Sequence, residues 1–138
     1  KRVRAGKTVG VVDERSEIGA CFQGIPQNDV GLRTDILDCC PKAAGMMMLI
    51  RSMAPDVVAV DEIGGDPDLE ALRCVMNCGC RILATVHGTS MEDIRNKPGF
   101  CRFLEEDIFE RYVILGNKAG PGTVLDICDG RGRSLLCG

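Results

Sequence analysis

The sequence predicts an α/β domain, a parallel sheet covered by helices in three layers and followed by a C-terminal β-hairpin. Three observations predict it: short β-branched runs alternate with helical patterns, three of those runs end in polar residues, and a glycine-rich turn separates two further runs near the C-terminus. At 138 residues, 45% of them apolar and 27% charged, the chain is one domain's worth and can bury a real core.

The first run, residues 8–12, ends at Asp13-Glu14; the second, 57–60, ends at Asp61-Glu62 and a glycine turn; the third, 82–86, ends at His87. Between the first two, Pro41 opens a helix rich in Ala, Met and Leu that runs to Met53 and is closed by Pro55. Between the second and third, Asp66-Pro67 opens a helix with Leu69, Leu72, Cys74, Val75 and Met76 on its apolar face, and Gly79 ends it. This βαβαβ order implies a parallel sheet covered by helices, with right-handed crossovers. Residues 1–97 form this core. A short helix at 91–97 ends that span, and residues 98–138 add a short helix at 100–106 and the hairpin, with strands at 112–115 and 123–128 around the turn at 116–122.

In an open parallel sheet, ligands bind outside the carboxyl ends of the strands. Here those ends present Asp13-Glu14-Arg15, Asp61-Glu62 and Thr85-Val86-His87. The segment Pro55-Asp56-Val57-Val58-Ala59-Val60-Asp61-Glu62-Ile63-Gly64-Gly65 has the logic of a Walker B strand: one carboxylate holds Mg²⁺ and its neighbour polarises the water that attacks a phosphate. The bland alternative is a buried strand running into an acidic turn.

Composition excludes several classes. The longest apolar window, residues 43–50, is too short to cross a bilayer, and the first residues carry no apolar signal segment, which points to a cytoplasmic chain. A net charge of −3 without a dense Lys/Arg run gives no clear case for nucleic acid. Nine cysteines without a CxxC pair support neither a disulfide framework nor a paired zinc knuckle; the one cluster to weigh is Cys74, Cys78 and Cys80. Gly6-Lys7-Thr8 is not a phosphate-binding loop, because Lys1 stands where GxxxxGK[ST] needs glycine and a strand follows where a helix should begin.

Four spaced motifs carry a resemblance over nearly the whole chain: Val9-Gly10-Val11-Val12-Asp13-Glu14-Arg15-Ser16-Glu17-Ile18, then Gly31-Leu32-Arg33-Thr34-Asp35-Ile36-Leu37, then the Asp56 to Gly65 segment, then Leu83-Ala84-Thr85-Val86-His87-Gly88. Together they resemble the stage III sporulation protein AA family, a sporulation relative of the type II and type IV secretion ATPases. The resemblance implies a RecA-like P-loop NTPase core, ATP and Mg²⁺ as cofactors, a hexameric ring of identical subunits, and membrane-embedded sporulation channel proteins as partners. It further implies transport or assembly between mother cell and forespore, at the membrane periphery on the mother-cell side. The family's P-loop precedes the stretch matching Lys1, so the chain resembles the C-terminal part of such an ATPase. In these sheets the P-loop strand lies beside the sensor strand, which leaves the strand at 82–86 with an open neighbour and implies a contiguous trio with residues 57–61 in the centre, flanked by 9–13 and 82–86.

Carried over by residue, the resemblance assigns Glu62 as catalytic base and Asp61 to the metal. It places Asp13 and Glu14 in an acidic box that helps position metal and water. His87 resembles a histidine box that senses the terminal phosphate or couples the site to ring motion, and Thr85, two residues before it, is a candidate nucleotide-binding residue. Arg15, Arg33 and Arg51 are candidate phosphate or neighbouring-subunit contacts, Arg33 foremost as a catalytic finger. Three functions stay open: a motor ATPase, a non-catalytic ring or interaction module without its own P-loop, and a cysteine-based metal or redox protein.

Overall fold

The computed structural model describes residues 6–117 and 120–136, and the chain divides into two compact units, one up to Val86 and one from His87 onward. The first unit holds strands β1 (Val9–Asp13), β2 (Thr34–Asp38), β3 (Val57–Val60) and β4 (Arg81–Ala84), with helices α1 (Lys42–Ser52) and α2 (Asp66–Asn77). All four strands are parallel, in the order β2-β1-β3-β4. The expected trio is present with β3 at its centre. Sequence patterning assigned no strand to Thr34–Asp38, which extends the sheet beyond β1.

Central position explains the residue types. Strand β1 is buried throughout, and β3 nearly so, because each has strands on both sides and packing on both faces. Alternation sends Val9, Val11, Val57 and Ala59 to one face, where Ile18 and Ile36 join them, and Val12, Val58 and Val60 to the other. Helices α1 and α2 pack together against this second face through Met46, Leu49, Leu72 and Val75. Close approach depends on two glycines. A Cβ on Gly10 would sit 2.9 Å from the Leu49 methyls, and one on Gly45 would sit 2.5 Å from Val12 Cγ1. Three layers were expected, whereas the first unit has helices on one face and the loop carrying Ile18 on the other.

Edge strands are shorter of apolar residues. Among the described residues no further strand lies beside β4 at this edge of the sheet, and its Leu83 is 65% exposed. An open, partly apolar edge at this strand agrees with the expectation from sequence.

The second unit contains α3 (Met91–Asn96), α4 (Phe100–Glu105) and an antiparallel pair, β5 (Arg111–Gly116) with β6 (Thr123–Asp129). Ser90 caps α3 by accepting the Asp93 N–H. Buried Ile94, Phe100, Phe103, Leu104 and Cys128 form its core, continued by Phe109 and Tyr112 in ring contacts. The predicted hairpin turn at 116–122 includes residues 118 and 119, which lie outside the described residues.

At the amino edge of the sheet, the Asp56 carboxylate accepts from the Thr8 N–H at 2.8 Å, the Thr8 hydroxyl and the Lys7 ammonium, tying the entry of β1 to that of β3. These donors, the Thr8 N–H foremost, hold its carboxyl below the usual range. A depressed carboxyl contributes stability that is present above its unfolded value, about 3.9, and lost as pH falls through the folded value. Asp56→Asn is therefore expected to lower the urea midpoint at pH 6, with the difference between the two proteins shrinking as midpoints are measured at progressively more acid pH.

Candidate functional site

The carboxyl edge of the first unit is built from three turns. The first follows β1. Asp13 is 0% exposed, and its Oδ1 accepts the Glu17 N–H at 2.8 Å while Oδ2 accepts those of Ile18 at 3.0 Å and Gly19 at 2.8 Å. A buried carboxylate is costly unless donors surround it, and three backbone N–H groups meet that need. The chain between them must double back, and Ser16 takes φ +58° at the apex beside Arg15. Ser16 Oγ accepts the Cys21 N–H, and Asn28 donates to the Ile18 carbonyl, so the loop to Asn28 is fixed from within.

The second turn follows β3. Ile63 is buried, and Glu62 takes φ +44°, a left-handed conformation rarely held by a residue with a side chain. The third turn, after β4, holds it there. Thr85 Oγ1 accepts the Glu62 N–H at 2.8 Å, and the Thr85 carbonyl accepts the Ile63 N–H at 2.9 Å. Thr85 thus shapes the acidic turn from the neighbouring strand.

These turns bring several expected residues together. Arg15 Nη2 pairs with Glu62 Oε2 and lies 3.5 Å from Glu17 Oε2. Glu14 pairs with Lys42 at the start of α1, and that hydrogen bond holds the Glu14 carboxyl below its ordinary value. Asp61 is half-buried at the end of β3, and among the described residues its carboxylate meets no hydrogen-bond or ion-pair partner. An unengaged carboxylate is a hard oxygen ligand of the kind a divalent cation such as Mg²⁺ takes, which makes Asp61 the residue here that could hold one.

Two expected residues lie elsewhere. Arg33 immediately precedes β2, and its guanidinium donates to the Gly6 carbonyl at the amino edge. Arg51 sits in the last turn of α1, which leads into the start of β3 and so ends at that same edge. The length of a strand, about 15 Å, separates both backbones from the carboxyl edge. His87 is exposed and opens the second unit, and Lys97 donates to its carbonyl.

Sequence patterning missed Lys42 and Asp38. Asp38 ends β2 at the same edge, and its buried Oδ1 has no hydrogen-bond partner among the described residues. A signal existed, since Ile36-Leu37-Asp38 repeats the pattern of Val11-Val12-Asp13. The cysteines do not assemble: among the described residues, no three His, Cys, Asp or Glu side chains gather as a metal site. Burial pushes the Cys21, Cys80 and Cys128 thiols up, and the Asp38 charge foremost pushes up Cys39, which disfavours the reactive thiolate.

Removing the carboxylate that gathers the first turn leaves three N–H groups without their acceptor. Asp13→Ala is expected to destabilise the protein by about 3 kcal/mol in chemical denaturation. Hydrogen exchange at Glu17, Ile18 and Gly19 should accelerate well beyond the change at β3.

Comparison with known proteins agrees with the motifs. The family described as "Sporulation stage III, protein AA" matches residues 2–135. Stage III sporulation protein AA of Bacillus subtilis (strain 168) is 48% identical over 126 residues, covering 91% of this chain and 41% of the relative. The chain thus spans about two fifths of that relative's length. It belongs to the stage III sporulation protein AA family.

Proposed function

We propose that this chain supplies the metal and water side of an ATP hydrolysis site in a motor ATPase that acts in sporulation. The observation that carries the reading is the turn at Asp61-Glu62: two adjacent carboxylates at the carboxyl end of an interior parallel strand, with Glu62 held in a left-handed conformation by Thr85. Strain kept in place by a neighbouring strand is a mark of functional turns, and ligands of parallel sheets bind at this edge.

In the proposed division of labour, Asp61 holds Mg²⁺, which would supply charge neutralisation at the phosphates. Glu62 accepts the proton of the attacking water, and Thr85 positions it through the backbone. Asp13 acts one step removed, by shaping the turn that carries Glu14 and Arg15. Lys42 keeps Glu14 charged beside it. His87 senses the terminal phosphate, a role taken from the family motif.

The fold in this reading is RecA-like, with the phosphate-binding strand beside the open edge of β4. Support for that placement is the unpaired edge and the family relationship. Arg33 and Arg51, at the amino edge, are proposed to contact a neighbouring subunit of a hexameric ring. The ring would work on membrane-embedded channel proteins from the cytoplasmic, mother-cell side. No helix of the described residues is long and apolar enough to cross a membrane.

The role of Glu62 is open to direct measurement. In the full-length protein, Glu62→Gln is expected to lower kcat for ATP by about 10² to 10⁴-fold with nucleotide binding retained. Wild-type turnover in that variant would remove Glu62 as the base.

A further inference from the structure

The ion pair between Arg15 and Glu62 joins two turns whose backbones are both held in place. Arg15 sits at the apex of the loop gathered by Asp13, beside left-handed Ser16. Glu62 is itself left-handed and tied to Thr85. The backbones are fixed while the side chains stay reachable, with Arg15 53% and Glu62 35% exposed. Half-exposed pairs add little to stability, so the contact is easily exchanged.

The guanidinium also has a better partner in prospect. It lies against two carboxylates, Glu62 and Glu17, in a site read as taking the terminal phosphate of a nucleotide. Guanidinium forks bind phosphate oxygens in pairs, and a phosphate carries more charge than a single carboxylate. While Arg15 holds Glu62, that carboxylate is engaged by a cation and is a poor proton acceptor for water.

We propose that Arg15 holds Glu62 when no phosphate is bound and passes its guanidinium to the terminal phosphate of the nucleotide, releasing the Glu62 carboxylate toward water. The exchange couples arrival of the substrate to the readiness of the base. It deepens the ATPase reading and rests on it.

The exchange makes binding and the ion pair compete, which a thermodynamic cycle detects without turnover. Full-length protein is titrated with a non-hydrolysable ATP analogue and Mg²⁺ in a calorimeter. Glu62→Gln, which releases Arg15, is expected to tighten binding about ten-fold, and Arg15→Gln to weaken it about ten-fold. The double variant should bind like Arg15→Gln alone, and Arg15→Lys should fall between Arg15→Gln and wild type. Thermal melts of each variant confirm that the fold is kept.

If Glu62→Gln tightens binding equally with and without Arg15, simple relief of charge repulsion explains it and the exchange is overturned. Failure of the base reading shows differently, as wild-type hydrolysis by Glu62→Gln, and the coupling between Arg15 and Glu62 in binding is measured independently of that rate.

Discussion

The buried Asp13 carboxylate is the constraint on which the carboxyl edge of the sheet depends. It ends the fully buried strand β1 and has no solvent to turn to, so the chain after it must fold back and supply N–H donors. That requirement forces the sharp turn at Glu14 to Gly19, lifts Arg15 to its apex, and seats Ile18 against the apolar face of Val9, Val11 and Val57. One side chain therefore links the core to the proposed site. Both of its oxygens are engaged within that turn.

A second constraint acts from the opposite side of β3. Thr85 uses both its hydroxyl and its carbonyl to fix the turn at Asp61-Glu62-Ile63, with Ile63 buried as the anchor. The two turns meet through Arg15 and Glu62, while Asp61 meets no protein partner among the described residues. Acidic groups with different engagements suit different tasks: a free carboxylate for a cation, and a restrained one for water. The amino edge is organised otherwise, by Asp56 across β1 and β3, and it is there that Arg33 and Arg51 fall.

Much of this architecture was legible in the chain. Strands β1 and β3 are apolar runs because they lie inside the sheet, and their polar ends mark its carboxyl edge. The hairpin announced itself through glycine and proline. Strand β2 was hidden because an edge strand can carry Asp35 and Asp38 and keep only Ile36 and Leu37 apolar. The turn after β1 was hidden for another reason: Ser16, Ala20 and Gln23 take positive φ without being glycine, so residue type gave no sign of it. Thr85 was noticed as a neighbour of His87, but its grip on Glu62 depends on the register of β3 with β4, which no local pattern encodes. The position of Arg51 at the amino edge follows from topology, since a helix that returns to a parallel strand must end at the strand's beginning.

The central claim is that the carboxyl ends of β1 and β3 face the reacting phosphate. A structure of the full-length protein with Mg²⁺ and a non-hydrolysable ATP analogue tests it most directly. The account predicts the terminal phosphate outside those strand ends, with the metal at Asp61 and the attacking water within hydrogen-bond reach of Glu62. A nucleotide seated at the amino edge beside Asp56, or one leaving Asp61 and Glu62 without contact to metal, phosphate or water, would contradict it.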